Sequence, residues 1–138
     1  MLSRKARDQD YMPRVLIADD EDSMRVLVAR AIAMDGHETV TAEDGAEALD
    51  ILTREGGSFD LLLTDIQMPV MDGIALALAV ARDYPWLAIL LMTGYTDQRE
   101  RASNLEALIH DVVPKPFSLA VIRAAVNGAL AAAGRRPH

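Results

Sequence analysis

The 138-residue chain contains no cysteine, which removes disulfides, thiolate metal sites and thiol nucleophiles from consideration. It has no excess of basic charge. Its 14 lysines and arginines stand against 21 aspartates and glutamates, a net charge of −7, and that balance argues against nucleic-acid binding by the domain itself. No apolar run reaches the roughly 18–20 residues that a membrane span needs. The opening MLSRKARDQDYMP carries basic residues without the apolar segment of a secretory signal. The glycine patterns GxGxxG and GxxxxGK[ST] are absent, so dinucleotide and P-loop readings lack their phosphate cradle. The three histidines, His37, His110 and His138, are scattered and give no support to zinc or a Ser-His-Asp triad. What remains is one domain of ordinary globular composition, 51% hydrophobic and 25% charged, expected to be cytoplasmic with no membrane partner.

Residues 1–12 are polar and aperiodic and read as a loose extension. The domain is expected over 13–134, with 135–138 a short tail and no output domain after it. From Pro13 onward, short apolar runs alternate with amphipathic helical patterns. Val15-Leu16-Ile17-Ala18 is continuous and apolar, as a strand buried on both faces should be. Met24, Leu27, Val28, Ala31 and Ile32 then stripe a helix that Gly36 is placed to stop. Further strands are predicted over 38–42, 59–64, 86–92 and 112–113, and further helices over 44–55, 73–82 and 97–108. In the third helix Ile74, Ala77, Leu78 and Ala81 share the predicted inner face, and Leu119, Ile122, Val126, Ala129 and Leu130 stripe a last helix. Five β–α units call for a parallel sheet with helices on both faces. Right-handed crossovers leave few topologies, and a doubly wound five-stranded sheet flanked by five helices is the simplest.

In an open α/β sheet, ligands bind beyond the carboxyl ends of the strands. The residues that follow the strands are therefore the candidates: Asp19 and Asp20, then Asp65, then Thr93, then Lys115 before Pro116. Singly, the aspartates would serve as helix or turn caps; together, at successive strand ends, the set is hard to attribute to capping. Clustered carboxylates repel unless a cation lies among them, and oxygen ligands that leave room for water suit Mg²⁺. A lysine cannot join them as a metal ligand but can pair with phosphoryl oxygens, as can a threonine hydroxyl. The set reads as a phosphoryl-transfer site with an aspartate nucleophile.

In order, VLIADDEDSMR, LLLTDIQMPVMDG, ILLMTGY and VVPKPF resemble the receiver domain of bacterial two-component response regulators, the CheY-like family, over roughly Pro13 to Ala133. The resemblance implies a flavodoxin-like fold with Asp65 as phosphoacceptor. It implies a Mg²⁺ site made by Asp19, Asp20, Asp65 and the backbone carbonyl of Gln67. Thr93 matches the switch hydroxyl, Lys115 the lysine that contacts the phosphoryl group, and Pro116 the residue usually joined to that lysine by a cis bond. The implied donor is a sensor histidine kinase or histidine phosphotransfer protein. The implied output is a protein contact on the face of the fourth helix, fifth strand and last helix, without direct DNA binding. One departure stands out: family members usually carry an aromatic residue where this chain has Val112, and Tyr95 is the candidate substitute. A stand-alone regulator is expected, with Mg²⁺-dependent self-phosphorylation and slow dephosphorylation and no dedicated enzyme activity. The alternatives are a phosphorelay intermediate or phosphate sink, or a receiver excised from a longer regulator or hybrid kinase.

Overall fold

A computed structural model describes residues 12–94 and 96–134, with the backbone alone for 96–99. The expected extension and tail lie outside it, save Met12, as does Tyr95. The elements alternate strictly: β1 (Arg14–Ala18), α1 (Asp22–Ala33), β2 (Glu38–Ala42), α2 (Gly45–Arg54), β3 (Leu61–Asp65), α3 (Gly73–Asp83), β4 (Ala88–Thr93), α4 (Thr96–Ser103), β5 (Asp111–Pro114) and α5 (Leu119–Gly134). The strands form one parallel sheet in the order β2-β1-β3-β4-β5, the doubly wound arrangement expected. Among the described residues no helix is long and apolar enough to cross a membrane.

The continuous apolar runs are explained by two cores, one on each face of the sheet. Successive strand side chains point to opposite faces, so Leu61 and Leu63 join Val15, Ile17, Leu90 and Met92 beneath α1 and α5. Leu62 points the other way, with Leu16, Ile89 and Leu91, beneath α2 and α3. β3 is buried along its whole length. A strand covered on both sides has no polar face to offer, which is why its sequence does not alternate.

The helix faces differ from the expected ones by a fraction of a turn. Leu27 and Leu78 are 47% exposed and Leu119 is 39% exposed. The buried stripes are Val28, Ala31 and Ile32 in α1 and Leu76, Ala77 and Val80 in α3. Each of these three helices carries more apolar residues than one face can hold, so hydropathy alone does not choose between neighbouring stripes. α4 also ends earlier than the pattern to Leu108 predicts. Leu105 is drawn into the core, and the chain beyond Ser103 makes tight three-residue turn bonds, Leu105 N–H to Ala102 carbonyl at 2.9 Å and Leu108 N–H to Leu105 carbonyl at 2.8 Å.

These faces carry a measurable contrast. Leu62→Ala should cost about 3 kcal/mol in urea unfolding, within the range of buried leucine truncations. Leu27→Ala, on the exposed side of α1, should cost less than about 1 kcal/mol.

Candidate functional site

Sheet register brings the site together. Ala18 pairs with Thr64, so Asp19 and Asp65 leave adjacent strands side by side, where the strand order reverses between β1 and β3. Asp65 pairs with Met92 and Thr93 with Pro114, which sets Thr93 and Lys115 one step further along the same edge. The Lys115 N–H donates to the Thr93 carbonyl at 2.6 Å.

Asp19 is wholly buried and Asp65 is 8% exposed. Each carboxylate gives one oxygen to local backbone: Asp19 Oδ1 accepts from the Glu21 N–H at 3.0 Å, and Asp65 Oδ1 from the Ile66 N–H at 2.9 Å. The other oxygens face Lys115, whose Nζ lies 3.3 Å from Asp65 Oδ2 and 3.6 Å from Asp19 Oδ2. Burial pushes both carboxyl groups up from the ordinary carboxylate value. Lys115 draws both back, and the Asp19 charge pushes Asp65 further up. Asp19 Oδ2 and Thr93 Oγ1 are buried with no hydrogen-bond partner. Orphaned polar atoms are costly, and here they lie at the strand ends where a ligand's charge would go. Exposed Asp20 completes a cluster in which Asp19, Asp20 and Asp65 offer oxygens all within 4.8 Å of one another. The donor set, hard oxygens with one lacking a hydrogen bond, fits a metal ion.

A sequence model of the response regulator receiver domain matches residues 15–127. The chain belongs to this family. The receiver is 37% identical over 105 residues to the DNA-binding transcriptional regulator NtrC of Escherichia coli K12, which covers 76% of this chain and 22% of NtrC. It is 35% identical over 116 residues to the sensor kinase CckA of Brucella abortus, covering 83% of this chain and 12% of CckA. The chain thus spans about a fifth of the length of the NtrC relative, 22%. Among solved structures it resembles a response regulator receiver domain protein of Clostridium thermocellum (25% identity, TM-score 0.80, 88% of this chain and 96% of the other). It also resembles the chemotaxis response regulator CheY4 of Vibrio cholerae (28% identity, TM-score 0.75, 86% and 99%).

The loop that follows β3 in this receiver is tightly constrained. Gly73 lies so close to β3 that a Cβ there would sit 2.1 Å from the Asp65 carbonyl oxygen, and the Gly73 N–H donates to the Ile66 carbonyl at 2.8 Å. Exposed Val70 is a β-branched residue at φ 68°, within a turn closed by the Met71 N–H on the Pro69 carbonyl at 2.7 Å. Such a conformation costs about 1–3 kcal/mol and collects at functional loops. Asp72 ends the loop, caps α3 through the Ala75 N–H at 2.9 Å and pairs with Arg101 of α4 at 2.8 Å.

Capping does not explain the acidic pair of β1. The N-cap of α1 is Glu21, without a side-chain bond. Gln67 is exposed on the loop at the same edge. The bond from Lys115 to Pro116 is cis, as the resemblance implies. Val112 pairs with Leu91 in the sheet and packs half-buried on the core beneath α2 and α3. Sequence reasoning missed two positioning residues. Arg25 donates to the Asp19 carbonyl at 2.7 Å while pairing with Asp22 and Glu43, and Arg101 joins α4 to Asp72 across 29 positions. Only the first had a local signal, the three-residue spacing from Asp22 on one helix.

An ionised carboxylate that burial and a neighbour oppose weakens the fold. A carboxyl whose folded pKa is raised contributes that destabilisation only above its unfolded value, near 3.8 for Asp65. Calorimetry without divalent cations should therefore find Asp65→Asn higher melting than wild type at pH 7. The gain should shrink as pH falls through the raised pKa and be gone below the unfolded one.

Proposed function

We propose that Asp65 is the phosphoacceptor of this receiver, charged by a sensor histidine kinase or a histidine phosphotransfer protein. The observation that carries the reading is the 3.3 Å contact of Lys115 Nζ with Asp65 Oδ2, the oxygen not bonded to backbone, beside a second buried carboxylate. Asp65 Oδ2 attacks the phosphorus of a phosphohistidine, the P–N bond breaks, and the imidazole nitrogen leaves with the electron pair. Lys115 turns from its two carboxylates to the equatorial phosphoryl oxygens, where its charge counters what develops in transfer. Asp19, Asp20, Asp65 and the Gln67 carbonyl are the residues that would hold Mg²⁺. Bound there, the ion supplies charge neutralisation for the phosphoryl group. Water later attacks the phosphorus of the aspartyl phosphate, releasing inorganic phosphate and restoring the carboxylate. Asp65 is consumed and regenerated in these steps, a phosphoacceptor's part and not that of a dedicated enzyme.

Phosphorylation adds nearly two negative charges and new acceptor oxygens. The buried Thr93 hydroxyl, which lacks a hydrogen-bond partner, supports its role as the donor that answers them. Its movement would draw the β4–α4 loop, which contains Tyr95, and so alter the face of α4, β5 and α5 where a downstream protein docks. Val112 occupies the place where the aromatic of the usual switch would stand, so the coupling runs through the loop itself. The setting is cytoplasmic two-component signalling. The small share of NtrC and CckA that the match covers, 22% and 12%, supports a second reading, a receiver module working within a longer regulator or hybrid kinase.

Incubation with phosphoramidate and intact-mass analysis tests the assignment. Wild type should gain one phosphoryl group in Mg²⁺ and none in EDTA, and Asp65→Asn should gain none. Lys115→Ala should slow labelling by about tenfold or more, whereas Thr93→Ala should label but lose the accompanying shifts in α4 amide resonances. Undiminished labelling of Asp65→Asn would refute the assignment.

A further inference from the structure

Arg25 lies in the first turn of α1, where the helix dipole disfavours a cation. On a solvated face its spacing from Asp22 would make an ordinary helix pair of little weight. The side chain is not solvated, however: it is 12% exposed, against 83% for Asp22. The guanidinium turns back past the start of the helix and donates through Nη1 to the Asp19 carbonyl at 2.7 Å. Its Nη2 pairs with Asp22 Oδ1 and lies 3.8 Å from Glu43 Oε1. One planar head thus ties the β1–α1 turn to the β2–α2 turn.

The carbonyl that Arg25 holds belongs to the peptide joining the two acids of the cluster. The Asp19 N–H donates to the Ala42 carbonyl at 3.1 Å, and Asp19 Oδ1 accepts from the Glu21 N–H at 3.0 Å. Those ties are made by backbone; the tie at the carbonyl is made by a side chain. Because the peptide is planar, holding its oxygen also fixes where the Asp20 Cα leaves it. Groups that orient a metal ligand from behind govern affinity almost as strongly as the ligands do. By charge alone a guanidinium in this place would repel a cation, and Asp22 and Glu43 offset that charge. We propose that Arg25 sets the divalent-cation affinity of the strand-end cluster by strapping the Asp19–Asp20 peptide in place. This rests on the Mg²⁺ reading given above and assigns to Arg25 a positioning part in it.

The test is a titration of the ¹⁵N-labelled full chain with MgCl₂ at pH 7.5, each protein first stripped of metal with EDTA. Wild type should show saturable shifts at the amides of residues 19–21 and 65–67. Arg25→Met should bind Mg²⁺ about tenfold more weakly, although loss of a positive charge would by itself tighten binding. Arg30→Met removes the same charge from the exposed side of α1, where Arg30 makes no ion pair among the described residues. It should bind as wild type does or more tightly. Arg25→Lys, which keeps the charge and a donor, should recover part of the loss. Without metal, the Asp20 amide, whose nitrogen belongs to the strapped peptide, should move in Arg25→Met and stay in Arg30→Met. Sheet amides report whether each variant is folded, and Arg25→Gln, with its shorter reach, takes the place of Arg25→Met if the latter is not native. Equal or tighter Mg²⁺ binding by the folded variant, an equal loss in Arg30→Met, no recovery in Arg25→Lys, or an unmoved Asp20 amide would overturn the proposal. Wild type without Mg²⁺ shifts defeats the metal reading and the strap together. Wild-type binding beside an unimpaired Arg25 variant defeats the strap alone.

Discussion

One ammonium between two buried carboxylates is the interaction on which the rest of this structure depends. Asp19 and Asp65 sit against each other at the ends of adjacent strands, and Lys115 reaches them from the far side of β4. Without that charge, two neighbouring carboxylates out of water would favour protonation or separation. The parallel sheet exists in the form needed to hold them: three strand ends at one edge, in register, with β4 as spacer. It is notable that among the described residues every ion pair away from this point uses arginine, and this one uses lysine. A fork-shaped guanidinium suits fixed bidentate pairs, whereas a compact point charge on a flexible stem can turn from one oxygen to another.

The parts of the molecule that could be read from the chain are those governed by short-range rules. Unbroken apolar runs marked strands covered on both faces, and the carboxyl ends of those strands held the site residues, because a parallel sheet directs all its strand ends to one side. β2 matched its expected bounds, Glu38–Ala42. The helices were less legible. Leu27 and Leu78 fit a helical stripe as well as their buried neighbours do, and only the packing partner selects among the stripes. The early end of α4 is likewise a tertiary effect, the pull of Leu105 into the core. At the site, residue types were readable but pairings were not. Nothing local ties Arg101 to Asp72, and nothing in the text VMDG says that Val70 takes a left-handed backbone or that Gly73 passes against the Asp65 carbonyl.

Family membership accounts for the cluster at the strand ends, and the departures lie around its rim. Val112 stands where the resemblance implies an aromatic, and Glu106, after α4, and Asp111, at the start of β5, pair with no arginine among the described residues. Two receivers can thus share their strand-end chemistry while differing wholly in what their outer faces recognise. The first is constrained by the geometry of phosphoryl transfer, the second only by the partner.

The burial of β3 has a mechanical consequence. Its side chains anchor both cores at once, Leu62 on one side and Leu61 and Leu63 on the other, so Asp65 stands at the tip of a strand gripped from both faces. As the proposed acceptor it would serve as an anvil, taking the blow of a new charge without shifting far, since displacing it would disturb two packed layers together. Compliance must then come from where the sandwich is thin. That is the edge formed by β5, four residues long, and by α4, whose sequence is the most polar of the helices. A rigid centre beside a soft margin would direct the response to the proposed phosphorylation outward, toward β5 and α4.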